Sequence, residues 1–94
     1  MAPRRLLKTD GTATPINRVT ISEAARLMGA DTLDTVNLRD GRVLLVNDAG
    51  HERQLPVNQA ATALYHTVCR AGTTWQIRGD AIVTLDADFG GDHP

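Results

Sequence analysis

Turn signals cut this chain into short segments, and that spacing constrains the fold more than anything else in it. Asp10-Gly11, Arg39-Asp40-Gly41-Arg42, Asn47-Asp48-Ala49-Gly50 and Gly79-Asp80 each put small polar residues and glycine between apolar runs. Each run is therefore about one strand or two helical turns long. RRLLK (4–8) reads as a strand, and ATPINRV (13–19) returns as a second, with Pro15 placing it at a sheet edge. TLDTVNL (32–38) and the continuous apolar run RVLLVN (42–47) flank a turn signal, which predicts a β-hairpin with 42–47 as the central strand. HERQL (51–55), TWQIRG (74–79) and AIVTL (81–85) also read as strands.

Two segments carry the helical period. Thr20-Ile21-Ser22-Glu23 has the form of a capping box, and Ile21, Ala24, Ala25 and Met28 fall on one face before Gly29 ends the helix. Pro56 holds Leu55 extended, Asn58 is a good N-cap, and a second amphipathic helix is predicted over 58–70, ended by Gly72. Its predicted apolar side is Val57, Ala61, Leu64 and Val68, bordered by Tyr65 and Cys69. Gln59, Thr62, His66 and Arg70 lie opposite. The order is β-β-α-β-β-α-β. It predicts an α+β domain over 1–89, a mainly antiparallel sheet with two short helices packed on one face, and a flexible tail over 90–94; of the polar C-terminal stretch only Phe89 docks on the domain.

Ninety-four residues suit one domain with a modest core. Aromatic residues are only 3%, so aliphatic side chains must fill it, and a homodimer or higher homo-oligomer is a natural supplement. The net charge of −1 excludes the basic footprint of a general nucleic-acid binder. Nine of the ten basic residues are arginine, whose planar fork suits carboxylate or phosphate. The single cysteine, Cys69, permits no intrachain disulfide and fits a cytoplasmic setting. No apolar run approaches the ~20 residues of a membrane span. MAPRRLLKTDG lacks an apolar h-region, so no signal peptide is expected.

The pattern Val46-Asn47, then Leu55-Pro56-Val57-Asn58-Gln59-Ala60-Ala61-Thr62, then Gly79-Asp80 before an apolar strand resembles a phage and plasmid family of unknown function. The resemblance spans roughly residues 33–89. It implies a mobile-element setting, inside the cytoplasm of a host cell, and supplies no activity and no catalytic residue.

Candidate chemistry gathers around RQLPVNQAATALYHTVC (53–69). The helix start at Asn58 presents free N–H groups and a partial positive charge. With His51, Arg53 and Thr62 converging, it is either an anion site or a plain cap. Trp75, the only tryptophan, is either a stacking platform for a base or a residue packed on the sheet or a dimer seam. As a platform it would have Arg70 or Arg78 on phosphate and Thr73 or Thr74 giving hydroxyl contacts. His66 and Cys69 share a helical face, which suits two metal ligands or a thiol with a base, but neither a four-ligand set nor an orienting third group accompanies them. Asp86, Asp88 and Asp92 read as solvated carboxylates, and Asp80 as a turn residue. GxGxxG, Walker, HExxH, CxxC and GxSxG patterns are absent. No cofactor or metal is expected.

Three functions follow from different classes. The first is a small non-enzymatic binding protein that occupies a host component, for example an anti-defence sponge for an anionic nucleotide-like signal. The second is a protein–protein inhibitor or adaptor using a sheet edge or the Trp75 surface. The third is a small hydrolase using His51, His66 or Asp80.

Overall fold

The structure, a computed structural model, describes residues 3–90. Five strands form one antiparallel sheet: β1 (Arg5–Leu7), β2 (Ala13–Pro15), β3 (Leu33–Asn37), β4 (Arg42–Asn47) and β5 (Ala81–Leu85), in the order β2-β1-β5-β4-β3. The helices are α1 (Ile21–Met28), α2 (Gln59–His66) and a single turn, α3 (Ala87–Gly90). The α+β class and the antiparallel sheet are as the sequence predicts. The middle position belongs to β5, with β4 beside it. The tail expected over 90–94 falls outside the described residues, except Gly90, which closes α3.

The helices do not share a face of the sheet. Leu6, Val43, Leu45 and Ile82 form one buried cluster with Ala24 and Met28 of α1. Leu7, Leu44, Val46, Ala81 and Val83 form the other, with Ala61 of α2, Leu38 and Ile77. The physical reason is the apolar run of β4. Side chains alternate across a strand, so Val43-Leu44-Leu45-Val46 presents two apolar residues to each side, and both sides require cover. Period-two reading of that run predicts two covered faces, and the one-face expectation overlooked it.

The helix ends obey local chemistry closely. Thr20 Oγ1 accepts the Glu23 N–H at 3.1 Å and Glu23 Oε1 accepts the Thr20 N–H at 2.9 Å, completing the predicted capping box. Gly29 caps the other end with φ 66°, a left-handed conformation that glycine adopts without steric cost. Of the predicted apolar face, Ala24 and Met28 are buried, while Ile21 stays 45% exposed. At the β2 edge, Thr12 and Ile16 bond inward to Lys8 and Arg4, so Pro15 faces outward, where its missing N–H removes a free donor.

Two predicted strands are not strands. Residues 51–54 curl into turns, with Arg53 N–H donating to the Ala49 carbonyl and Leu55 N–H to that of Gly50. Segment 74–79 forms no strand and pairs only through an isolated bridge, Val57 with Arg78. α2 ends at His66 and not at 70; Thr67 Oγ1 donates to the Leu64 carbonyl at 2.6 Å, and the chain continues in tight turns.

The C-terminal turn is fastened by an ion pair that the sequence did not reveal. Asp88, read as solvated, has a side chain only 4% exposed. It accepts Arg4 Nε and Nη2 at 2.8 and 2.7 Å and Thr84 Oγ1 at 2.6 Å. Phe89 docks beside it against the α1-side core, as expected. The bond from Arg4, joined by that from Thr84, holds the Asp88 carboxyl well below the usual carboxylate range. A depressed folded-state pKa contributes stability above the unfolded value and loses it as pH falls. Asp88→Asn is therefore expected to lower the melting temperature at neutral pH by about 5 °C. The gap to the parent protein should narrow once pH drops below about 4, and calorimetry across that range checks both.

Candidate functional site

Segment 74–79 lies over α2 on the sheet face opposite α1, and its backbone polar groups must find partners without a strand ladder. Side chains and the backbone at 56–58 supply them. Thr62 Oγ1 accepts the Ile77 N–H at 2.9 Å. Asn58 N–H donates to the Ile77 carbonyl at 2.8 Å, and Gly79 N–H to that of Pro56 at 2.8 Å. His66 Nε2 bonds the Trp75 carbonyl at 2.7 Å, and His51 Nε2 bonds the Gln76 carbonyl at 2.7 Å. A carbonyl only accepts, so both imidazoles carry a proton on Nε2. Four of the predicted ligand residues thus serve as hydrogen-bond partners of this backbone.

Asn58 is the most deeply placed of them. It is wholly buried; its Oδ1 caps Ala61 N–H at 3.1 Å, while Nδ2 donates to the carbonyls of Leu7 and Gly79 at 2.9 and 3.0 Å. The Asn58 carboxamide is therefore wholly used in capping α2 and tying it to β1 and to the turn before β5. Of the two open readings, the cap is the one realised. Thr62 is likewise buried, at 7% exposure, and not on a solvent face, because segment 74–79 covers that side of the helix. Arg53 lies elsewhere, in a shallow depression with Thr9, Gly29 and Asp80. Asp80 accepts the Thr9 N–H at 3.1 Å, in keeping with a turn role.

The convergence that does occur is around Trp75. Its ring stacks on His51 with centroids 3.8 Å apart and planes 27° apart, yet it remains 54% exposed. One face of the indole is taken by His51 and the remainder faces outward. Beside it is a cleft of about 150 Å³ lined by Asp34, Val46, Asp48, His51, Trp75 and Arg78, among others. Arg78 Nη1 is engaged by the Leu55 carbonyl at 3.0 Å. His51, Trp75 and Arg78 thus share one site. Arg70 is exposed at the turn beyond α2, where Thr73 Oγ1 donates to its carbonyl at 2.7 Å, and Thr74 is exposed. Those three lie outside the cleft lining.

Two further observations concern positions that the sequence marked only as strand or turn. Asp34 and Asp48 line the cleft, and strand alternation offered a signal for the first: Asp34 shares the face of Val36 and Leu38, both packed in the α2-side core. Gly50 is required by close approach. A Cβ there would lie 2.5 Å from the Arg78 carbonyl oxygen, so any side chain displaces the segment that carries Trp75. Cys69 neighbours Tyr65, whose phenol is pushed above its usual range chiefly by hydrogen bonding to the sulfur. Among the described residues no cluster of three metal-ligating side chains forms, and no helix is long and apolar enough to cross a membrane.

Comparison with protein-family models, with curated proteins and with solved structures finds no match to the chain.

The bracing scheme has a direct consequence for stability. Thr62→Val keeps the shape and strands the buried Ile77 N–H, at an expected cost of about 1–3 kcal/mol. Asn58→Ala leaves two buried carbonyls and a cap unsatisfied and is expected to cost more, about 3–4 kcal/mol. Urea unfolding of both variants, followed by Trp75 fluorescence, measures the order.

Proposed function

We propose that this protein is a small non-enzymatic binding module that docks on a host protein through the Trp75 surface. The observation that carries the reading is a large aromatic side chain held half in water by a braced backbone. Exposed tryptophan has no role in this core, and tryptophan is enriched among residues that dominate binding energy at interfaces. The bonds from His51 and His66 fix the backbone on which it stands, so little ordering remains for association to impose. The adjoining cleft, at about 150 Å³, is well below the ~300–1,000 Å³ usual for small-molecule sites. Asp34 and Asp48 on its wall also disfavour a phosphate-bearing ligand, which counts against the nucleotide sponge at this place. The resemblance to phage and plasmid proteins supports a mobile element as the setting and a host component as the target.

Capture from host lysate with the folded protein and with Trp75→Ala tests the reading. A specific protein should be retained by the parent and reduced about tenfold or more by the variant, as expected for loss of an interface anchor. Equal retention by both removes it. A saturable change in Trp75 fluorescence on adding cyclic or linear nucleotides would instead favour the sponge.

A further inference from the structure

We propose that the cleft beside Trp75 receives a cationic side chain, an arginine or a lysine, presented by the docked protein. The inference rests on the docking reading above and adds the chemistry of the partner. Three features of the cleft converge on it. The first is charge. Of the ionised side chains that line the cleft, two are carboxylates, Asp34 from β3 and Asp48 from the turn after β4, and one is a guanidinium, Arg78. Arg78 is already engaged by the Leu55 carbonyl, and Asp48 Oδ2 meets only the Thr32 hydroxyl, at 3.4 Å. Asp34 Oδ1 accepts the N–H of Thr35 at 3.0 Å, which orients the carboxylate and leaves its second oxygen available. The carbonyl bond occupies one donor of Arg78 without cancelling its charge, so the ionised lining sums to −1: a cation meets two opposite charges and one like, and an anion the reverse.

The second feature is the indole. His51 covers one face at 3.8 Å, while the ring as a whole is 54% exposed, so an outward π-surface borders the same cleft as the two carboxylates. Cations are attracted to that surface by the ring quadrupole, tryptophan most strongly of the aromatic side chains. The third feature is size. At ~30 Å³ for each water-sized volume, 150 Å³ holds about five, enough for the outer part of one long basic side chain, whether the butylammonium of lysine or the guanidinium end of arginine. A nucleotide, with more than about twenty heavy atoms, exceeds it several times over.

The probe is N-acetyl-arginine amide, read by the indole N–H resonance of Trp75, the only tryptophan in the chain. A saturable shift in the millimolar range is expected. It should weaken about tenfold in Asp34→Asn/Asp48→Asn, since each exposed carboxylate is worth roughly two- to fivefold. Asparagine keeps the oxygen that accepts the Thr35 N–H, and an unchanged melting temperature confirms that the double variant is folded. The uncharged citrulline counterpart and adenosine monophosphate should leave the resonance in place. No saturable shift with the arginine probe overturns the proposal. So does an equal shift with citrulline or in the double variant, or a shift with the nucleotide alone. The lysate capture separates the two claims. A partner lost with Trp75→Ala but kept by the double asparagine variant overturns the cation and leaves the docking surface standing. A partner kept by both removes both.

Discussion

The structure turns on one buried carboxamide. Asn58 caps α2 with its oxygen and holds β1 and the turn leading into β5 with its nitrogen, through the carbonyls of Leu7 and Gly79. These segments are 51 and 21 residues away along the chain. A buried amide of this kind is costly unless satisfied, and here both its atoms are used. Asn58 therefore fixes where α2 begins, how α2 sits against the sheet, and where segment 74–79 must run.

From that constraint the bracing of Trp75 follows. With α2 placed, Thr62 and His66 present their polar atoms to the passing backbone at Ile77 and Trp75, and the turn at 49–54 brings His51 to Gln76. The segment forgoes strand pairing because these side chains already meet its backbone needs. The outcome is a stretch outside the sheet, hydrogen-bonded at residues 75 to 77, that holds an aromatic ring out at the surface. Gly50 permits it by letting the Arg78 backbone pass within a distance that no side chain tolerates.

Legibility in the sequence followed the range of the interaction. The capping box at Thr20 and Glu23, the αL glycine at 29, the hairpin across Asp40-Gly41 and the edge role of Pro15 are interactions among residues near in sequence, and all are present. The Asn58 cap was legible for the same reason, but its other two bonds were not. His51 and Trp75 drew notice as residue types. Asp34 and Asp48 did not: alternation places Asp34 on the apolar face of β3, but what makes either carboxylate part of a cleft is segment 74–79, far away along the chain.

The sequence by itself determined the α+β class, the strand-sized segments and the positions of both helix starts, and it left open whether the one tryptophan packs or stands free. Local backbone chemistry and side-chain periodicity act within a few residues, and a reader of the chain has all of them in view. Only the tertiary structure decided that the helices take opposite faces, that Asn58 is buried at the start of α2, that Asp88 is buried on Arg4, and that Trp75 stands beside two carboxylates. Each of these depends on groups brought together across long stretches of chain, where burial and hydrogen-bond satisfaction of the whole select the partner.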